Sequence, residues 1–225
     1  MRYLFSCLVL LSLSACQHSS QWQQQPLQEL YADHYFIGPV AEIETLEAIF
    51  RLPEETEAEV RKFVGRQHTD MHQRGRELLE YLFYYADTGL SYEHSATTTA
   101  QETLHQRRAN CLSLSILTYS LAKAAGLQAE FQDVQIPEYW VSRSGLSFLN
   151  GHVNLRLKAS TSQSALYSYI NRDVVVDFDP YSKEQSFPVT VISETTVLAM
   201  FYNNKAAQAQ VDQNYPLAYQ YYKAA

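Results

Sequence analysis

Cysteine is scarce in this sequence. Of 225 residues only three are Cys, and two of them, Cys7 and Cys16, fall at the extreme N-terminus, leaving Cys111 alone in the body of the chain. There is no C-x-x-C, so dithiol redox chemistry has nothing to work with. Positive charge is also short: 17 Lys and Arg stand against 24 Asp and Glu, for a net charge of −7. No basic stripe interrupts that balance, which argues against a nucleic-acid partner. Long apolar runs are missing as well. The longest, "YLFSCLVLLSLSA" at 3–15, falls short of the roughly 20 residues a membrane-spanning helix needs.

What that run can be is an export signal, with Arg2 before it and "LSAC" (13–16) at its end. "LSAC" resembles the lipobox of bacterial lipoproteins, in which the leader is cut before a Cys that then carries lipid. The resemblance implies a signal peptide at 1–15, lipidation of Cys16 and anchoring to a membrane. Gln17 after that Cys resembles the outer-membrane-retained form, facing the periplasm. The Gln/Ser-rich "QHSSQWQQQPLQ" (17–28) reads as part of a tether, residues 16–38. Cys7 then leaves with the signal and Cys16 is acylated. Cys111 has no partner for an intramolecular disulfide in an oxidising compartment.

Beyond the tether the pattern is helical. Helices are expected over "PVAEIETLEAIF" (39–50), "LPEETEAEVRKFVG" (52–65) and "HQRGRELLEYLFYYA" (72–86), with a short helical stretch inside 90–110. From Cys111 to Ala125 the sequence is apolar nearly all round, as in a helix at the middle of a domain. Asn110 is a good N-cap, and Gly126 a good stop after Lys123 in the last turn. Strand patterns follow at "QAEFQDVQI" (128–136, ending before Pro137), "GHVNLRLKA" (151–159) and "DVVVDFDP" (173–180). The fold class is α+β. The last segment, 196–225, reads as a helical hairpin. Tyr202, Ala206, Ala218, Tyr222 and Ala225 sit at the spacing of a tetratricopeptide repeat, a unit that cannot bury its own faces. A protein partner at that hairpin is one expectation. Packing of the hairpin on the main domain is the other.

A thiol acts as a nucleophile through its thiolate, which helix N-terminal amides and a neighbouring imidazolium favour. The start of the helix supplies the first, and the fold must supply a His and a group to orient it. Of seven His, His152 is the best placed, opening a strand beside Gly151. Asp177 and Asp179 alternate onto one face of the next strand, and periodicity does not choose between them. "HTDMH" (68–72) has two His a turn apart, but the zinc-protease pattern needs Glu where Thr69 stands. No metal and no cofactor are expected.

The order Cys, His, Asp on helix, strand and strand resembles the transglutaminase-like superfamily. The carrying blocks are "RANCLSLSILTYSLAKAAGL", "GHVNLRL" and "VVDFDPY". The resemblance implies a papain-like core over 39–195: N-terminal helices, a buried Cys-bearing helix and an antiparallel sheet. It is nearest to bacterial envelope members in which tetratricopeptide repeats follow the core. It implies Cys111 as nucleophile, His152 as general base and acid, and Asp179, the acid before Pro, as orienter, with Asp177 in reserve. The backbone N–H of Cys111 is one expected oxyanion donor. Asn110 and Tyr92 are candidates for the second, and Trp140 for lining the cleft. Relatives often have Gly where Ala109 stands, which would matter if that position needed a left-handed backbone. The implied activity is acyl transfer on amide bonds of a peptide or protein substrate, with hydrolysis favoured over cross-linking. The alternative is a non-catalytic interaction module of the same fold.

Overall fold

The computed structural model describes residues 27–36, 41–64, 71–86, 90–159, 172–178 and 187–225. The chain divides into two compact units, 1–35 and 36–225. Of the first, a helical turn at Leu27–Leu30 and a 3-10 turn at Asp33–Tyr35 are described. The leader, Cys16 and most of the tether lie outside the described residues, as do Asp179 and the first His of "HTDMH". No described helix is long and apolar enough to cross a membrane.

The second unit opens with helices. α1 (Leu46–Phe50) is shorter than the periodicity suggests, because the Thr45 hydroxyl accepts the Ala48 N–H at 3.2 Å and fixes the start there. α2 (Glu54–Phe63) and α3 (Met71–Ala86) follow. A parallel bridge of β1 (Ser91–Tyr92) with β2 (Arg108–Ala109) brackets α4 (Ala100–Gln106), whose Thr99 and Glu102 form a capping box.

α5 (Cys111–Ala124) is the centre of the fold, with every residue from Leu112 to Ala122 buried. Its four buried Ser and Thr residues satisfy themselves on carbonyls. Thr118 bonds Leu114 and Ser120 bonds Ile116 within the helix, while Ser113 reaches Ala96 and Ser115 reaches Val153. A helix of mixed Leu and Ser thus behaves as apolar on all sides and packs against α1 to α4 and the sheet. Each of Ile116, Leu117 and Leu121, almost wholly enclosed, contributes about 1.5–3 kcal/mol through burial. Gly126, at φ +73°, ends the run.

The sheet has the order β5-β4-β3-β6, all neighbours antiparallel: β3 (Gln128–Arg143), β4 (Leu146–Lys158), β5 (Val174–Val176) and β6 (Val189–Ile192). β3 does not end before Pro137, as its sequence suggests. The register with β4 shifts between Val134 and Tyr139, so the proline sits in an irregularity where a missing N–H costs no ladder bond. Beyond that point β3 and β4 continue as a two-stranded ribbon.

α6 (Glu194–Val211) and α7 (Tyr215–Ala224) form the C-terminal hairpin. It shares the core of the unit: Val197, Phe201, Tyr202, Ala206 and Tyr221 are buried in the same cluster as α5. The architecture is α+β with a C-terminal helical hairpin.

Candidate active site

Cys111 is the first residue of α5, where the unpaired N–H groups of a helix converge. Asn110 caps it. Its side-chain carbonyl accepts the Ser113 N–H at 2.9 Å, and its amide donates to the Thr97 hydroxyl at 2.9 Å and the His94 carbonyl at 3.4 Å. Both ends of the Asn110 side chain are therefore spent on holding the helix start to the 94–97 loop. The loop returns the hold: the Asn110 N–H donates to the Ala96 carbonyl at 3.0 Å, and the Thr98 N–H to the Ser113 hydroxyl at 2.8 Å.

Ala109 lies in extended backbone opposite Tyr92 and is fully buried. The left-handed residue nearby is Arg107, at φ 55°, which ends α4. A side chain at position 109 is thus compatible with the turn into α5, and the pairing with Ala109 carries Tyr92 to the helix start. The Tyr92 hydroxyl lies close to Cys111. Burial, the Cys111 side chain and the nearby Tyr139 raise its pKa well above the usual tyrosine value, against a smaller lowering from the Cys111 backbone.

His152 sits on β4, 4 % exposed. Its Nε2 lies 2.8 Å from Oδ1 of Asp177, which leaves Nδ1 for the nearby Cys111 side chain. Burial works against a charged imidazole here. The Asp177 carboxylate and Cys111 outweigh it and push the pKa up from 6.5 to about 10. The direction of that shift favours the imidazolium form of His152.

Asp177 reaches this place through strand register. Leu155 pairs with Val176, so the next residue falls opposite Asn154 and one diagonal step from His152. Its second oxygen, Oδ2, accepts the Asn154 amide at 3.1 Å. Of the two acids left open by periodicity, Asp177 faces the imidazole, while Asp179 lies outside the described residues.

Two neighbours of the site escaped the sequence reading. Asn154 shares a strand face with His152, two positions on, but reads there as a solvated alternation. The structure buries it as deeply as the core residues beside it. Tyr139 belongs to the stretch of β3 beyond Pro137, which pattern alone does not join to the strand. Trp140, next along, is 62 % exposed on the ribbon, across from Leu149. A cavity of about 280 Å³ opens behind the helix start, lined by Glu93, Thr97, Thr98, Arg108, Arg143 and Lys205 among others, but by none of Cys111, His152 and Asp177. Among the described residues no group of three or more His, Cys, Asp or Glu is gathered to hold a metal.

No family model and no curated protein matches the chain. Among solved structures, a candidate protease from Parabacteroides distasonis is similar at a TM-score of 0.43 and 12% identity, over 65% of this chain and 28% of that one. The chain thus spans less than a third of that protein. A likeness so slight carries no function, and the geometry has to stand by itself.

Proposed function

We propose that the chain is a transglutaminase-like thiol enzyme that transfers the acyl group of an amide, with water as the favoured acceptor. The observation that carries this is one buried imidazole bonded to Asp177 on one side, with a cysteine at a helix N-terminus close enough to raise its pKa. Cys111 is the nucleophile, His152 the proton carrier and Asp177 the orienting acid, the role its family resemblance lends to Asp179.

Cys111 Sγ attacks the amide carbon, and the carbonyl oxygen takes the negative charge. The Cys111 N–H and the Tyr92 hydroxyl stabilise that oxyanion. The imidazolium gives its proton to the departing amine, the C–N bond breaks and a thioester remains. The now neutral His152 removes a proton from water, whose oxygen adds to the thioester carbon. Collapse breaks the C–S bond, releases the acid and leaves the proton with the Cys111–His152 pair. An amine in place of water gives transamidation. Asp177 keeps Nδ1 aimed at sulfur and stabilises each imidazolium that forms. The proposal includes export, lipidation at Cys16 and a periplasm-facing outer-membrane location, where peptides, free or cross-linked into the cell wall, are the natural substrates.

The test is to incubate the purified full chain with a mixture of peptides and amides and examine Cys111 by intact-mass and peptide mass spectrometry. A hydroxylamine-sensitive acyl adduct on Cys111, absent in His152→Ala, supports the reading. Modification of Cys111 by iodoacetamide at neutral pH at a rate indifferent to His152→Ala sinks it, and leaves the non-catalytic module.

A further inference from the structure

Resting on that reading, we infer that Asn154 is a positioning residue for the site: it holds the Asp177 carboxylate so that one oxygen faces His152. The two side chains take opposite oxygens of the same acid, His152 at Oδ1 (2.8 Å) and the Asn154 amide at Oδ2 (3.1 Å). A carboxylate gripped at one oxygen can swivel about its terminal torsion, which is broad and roughly two-fold. Gripped at both, it is held in one plane, and the imidazole with it.

A second observation separates this from ordinary core polarity. Asn154 is 5 % exposed, and its own carbonyl oxygen is buried without a hydrogen-bond partner among the described residues. The amide orientation is not arbitrary, since the reverse one would set that oxygen against the Asp177 carboxylate. An unpaired buried acceptor costs about 1–3 kcal/mol. The neighbouring inward residues of the strand, Val153 and Leu155, are apolar. An asparagine whose carbonyl is unsatisfied contributes to this strand only through its NH₂, and that group is spent on Asp177.

The titratable groups on the imidazole are Asp177 from the end of β5 and Cys111 from the start of α5, and the Tyr92 hydroxyl in turn neighbours Cys111. The Asn154 side chain bonds Asp177 and not His152, so its influence on the imidazole runs through Asp177. The near-isosteric Asn154→Leu removes the donor. The Asp177 pairing should loosen and the His152 titration midpoint should fall by about one pH unit, a tenfold loss in proton affinity.

The experiment is an NMR titration of the His152 ring in the full chain, for wild type, Asn154→Leu, Asp177→Asn and the double variant, with thermal unfolding alongside. A downward shift in Asn154→Leu that disappears in the Asp177→Asn background supports the inference. An unmoved midpoint in a folded Asn154→Leu overturns it, as does a shift of the same size in both backgrounds. If Asn154→Leu fails to fold, Asn154→Ser, which keeps a donor, is titrated with Asn154→Ala, and equal midpoints in the two overturn it. No substrate enters these measurements. A chain that shows the coupled shift but forms no acyl adduct loses the enzymatic reading and keeps this one.

Discussion

Among the carboxylates held by other side chains in the described residues, three are held in ways that differ instructively. Glu194, at the start of α6, takes the Tyr119 hydroxyl and the Lys123 ammonium at 3.2 Å. Glu44 takes the Tyr221 hydroxyl at 2.7 Å and the Lys205 ammonium at 3.0 Å, while its backbone carbonyl accepts from Tyr202. In both, ordinary donors meet the acid, and the result is a hairpin fastened to the core. Asp177 instead meets an imidazole that leads on to a thiol, and an amide whose other end goes unpaired. The first two are built to be satisfied. The third leaves an unpaired oxygen and a charge where a reaction would use them, as functional sites do when local stability yields to chemistry.

The largest effects should come from breaking the Asp177 cluster at the sulfur. Cys111→Ala should lower acyl transfer by about 10⁴-fold or more, because the nucleophile has no substitute, and should leave unfolding within about 1 kcal/mol of wild type. Steady-state rates with whichever amide forms the adduct, and a denaturant melt, check both halves. Asp177→Asn should come next, lowering kcat by about 10²–10⁴-fold by freeing the imidazole to take the wrong tautomer. The same variant should bring the His152 midpoint from about 10 back toward 6.5. Tyr92→Phe should lower kcat by about 10²-fold if its hydroxyl is an oxyanion donor. An unchanged KM would show that the hydroxyl serves the transition state and not substrate binding.

That ranking depends on features of unequal visibility in the sequence. The helix bearing Cys111 was plain, because an apolar run framed by Asn110 and Gly126 leaves little choice. His152 was plain because a strand with a clean two-residue alternation carried it. The choice of acid was not. It turns on whether Val176 or a neighbour pairs with Leu155, and register between strands is a property of the assembled sheet. Asn154 was hidden for a related reason: alternation tells which positions share a face, while burial of both faces of β4 comes from what packs above and below. Pro137 misled in the opposite sense, since an irregularity in the pairing absorbed it. The hairpin read as a repeat, and its Tyr202 and Ala206 are buried, but the surface they are buried against is this unit's own core.

The contrast also separates the clusters by pH. The folded pKa of His152 lies above its ordinary value, so its protonation favours the folded state. That contribution is complete below about pH 6.5 and is lost as the pH rises toward 10. Wild type should therefore lose several kcal/mol of stability across that window, and His152→Gln should lose much less. The pKa of Glu194 is lowered, chiefly by the Tyr119 hydroxyl and then by Lys123 against the opposing effect of burial. Its contribution is present above the usual carboxylate range and fades only in acid. Urea melts at pH 6.5 and 9.5 measure the first effect. A decline in His152→Gln as steep as in wild type would mean that the site's charge is not what the pH removes.

The smallest effect belongs to the satisfied side of the comparison. Glu44→Gln keeps the size of the side chain but removes the charge that Lys205 pairs with and weakens the acceptor for Tyr221. Both partners are partly open to water, which blunts the ion pair. The expected loss is about 1–2 kcal/mol of unfolding free energy, mostly from the hydrogen bond. Acyl transfer at Cys111 and the His152 midpoint should be unmoved, because among the described residues no hydrogen bond or ion pair leads from Glu44 to β4 or to the start of α5. A fall in kcat without a change in the melt would join the hairpin to the active site. Separate responses would mean that α6 and α7 stabilise the unit and leave the chemistry to the cluster in which one amide goes half-unpaired.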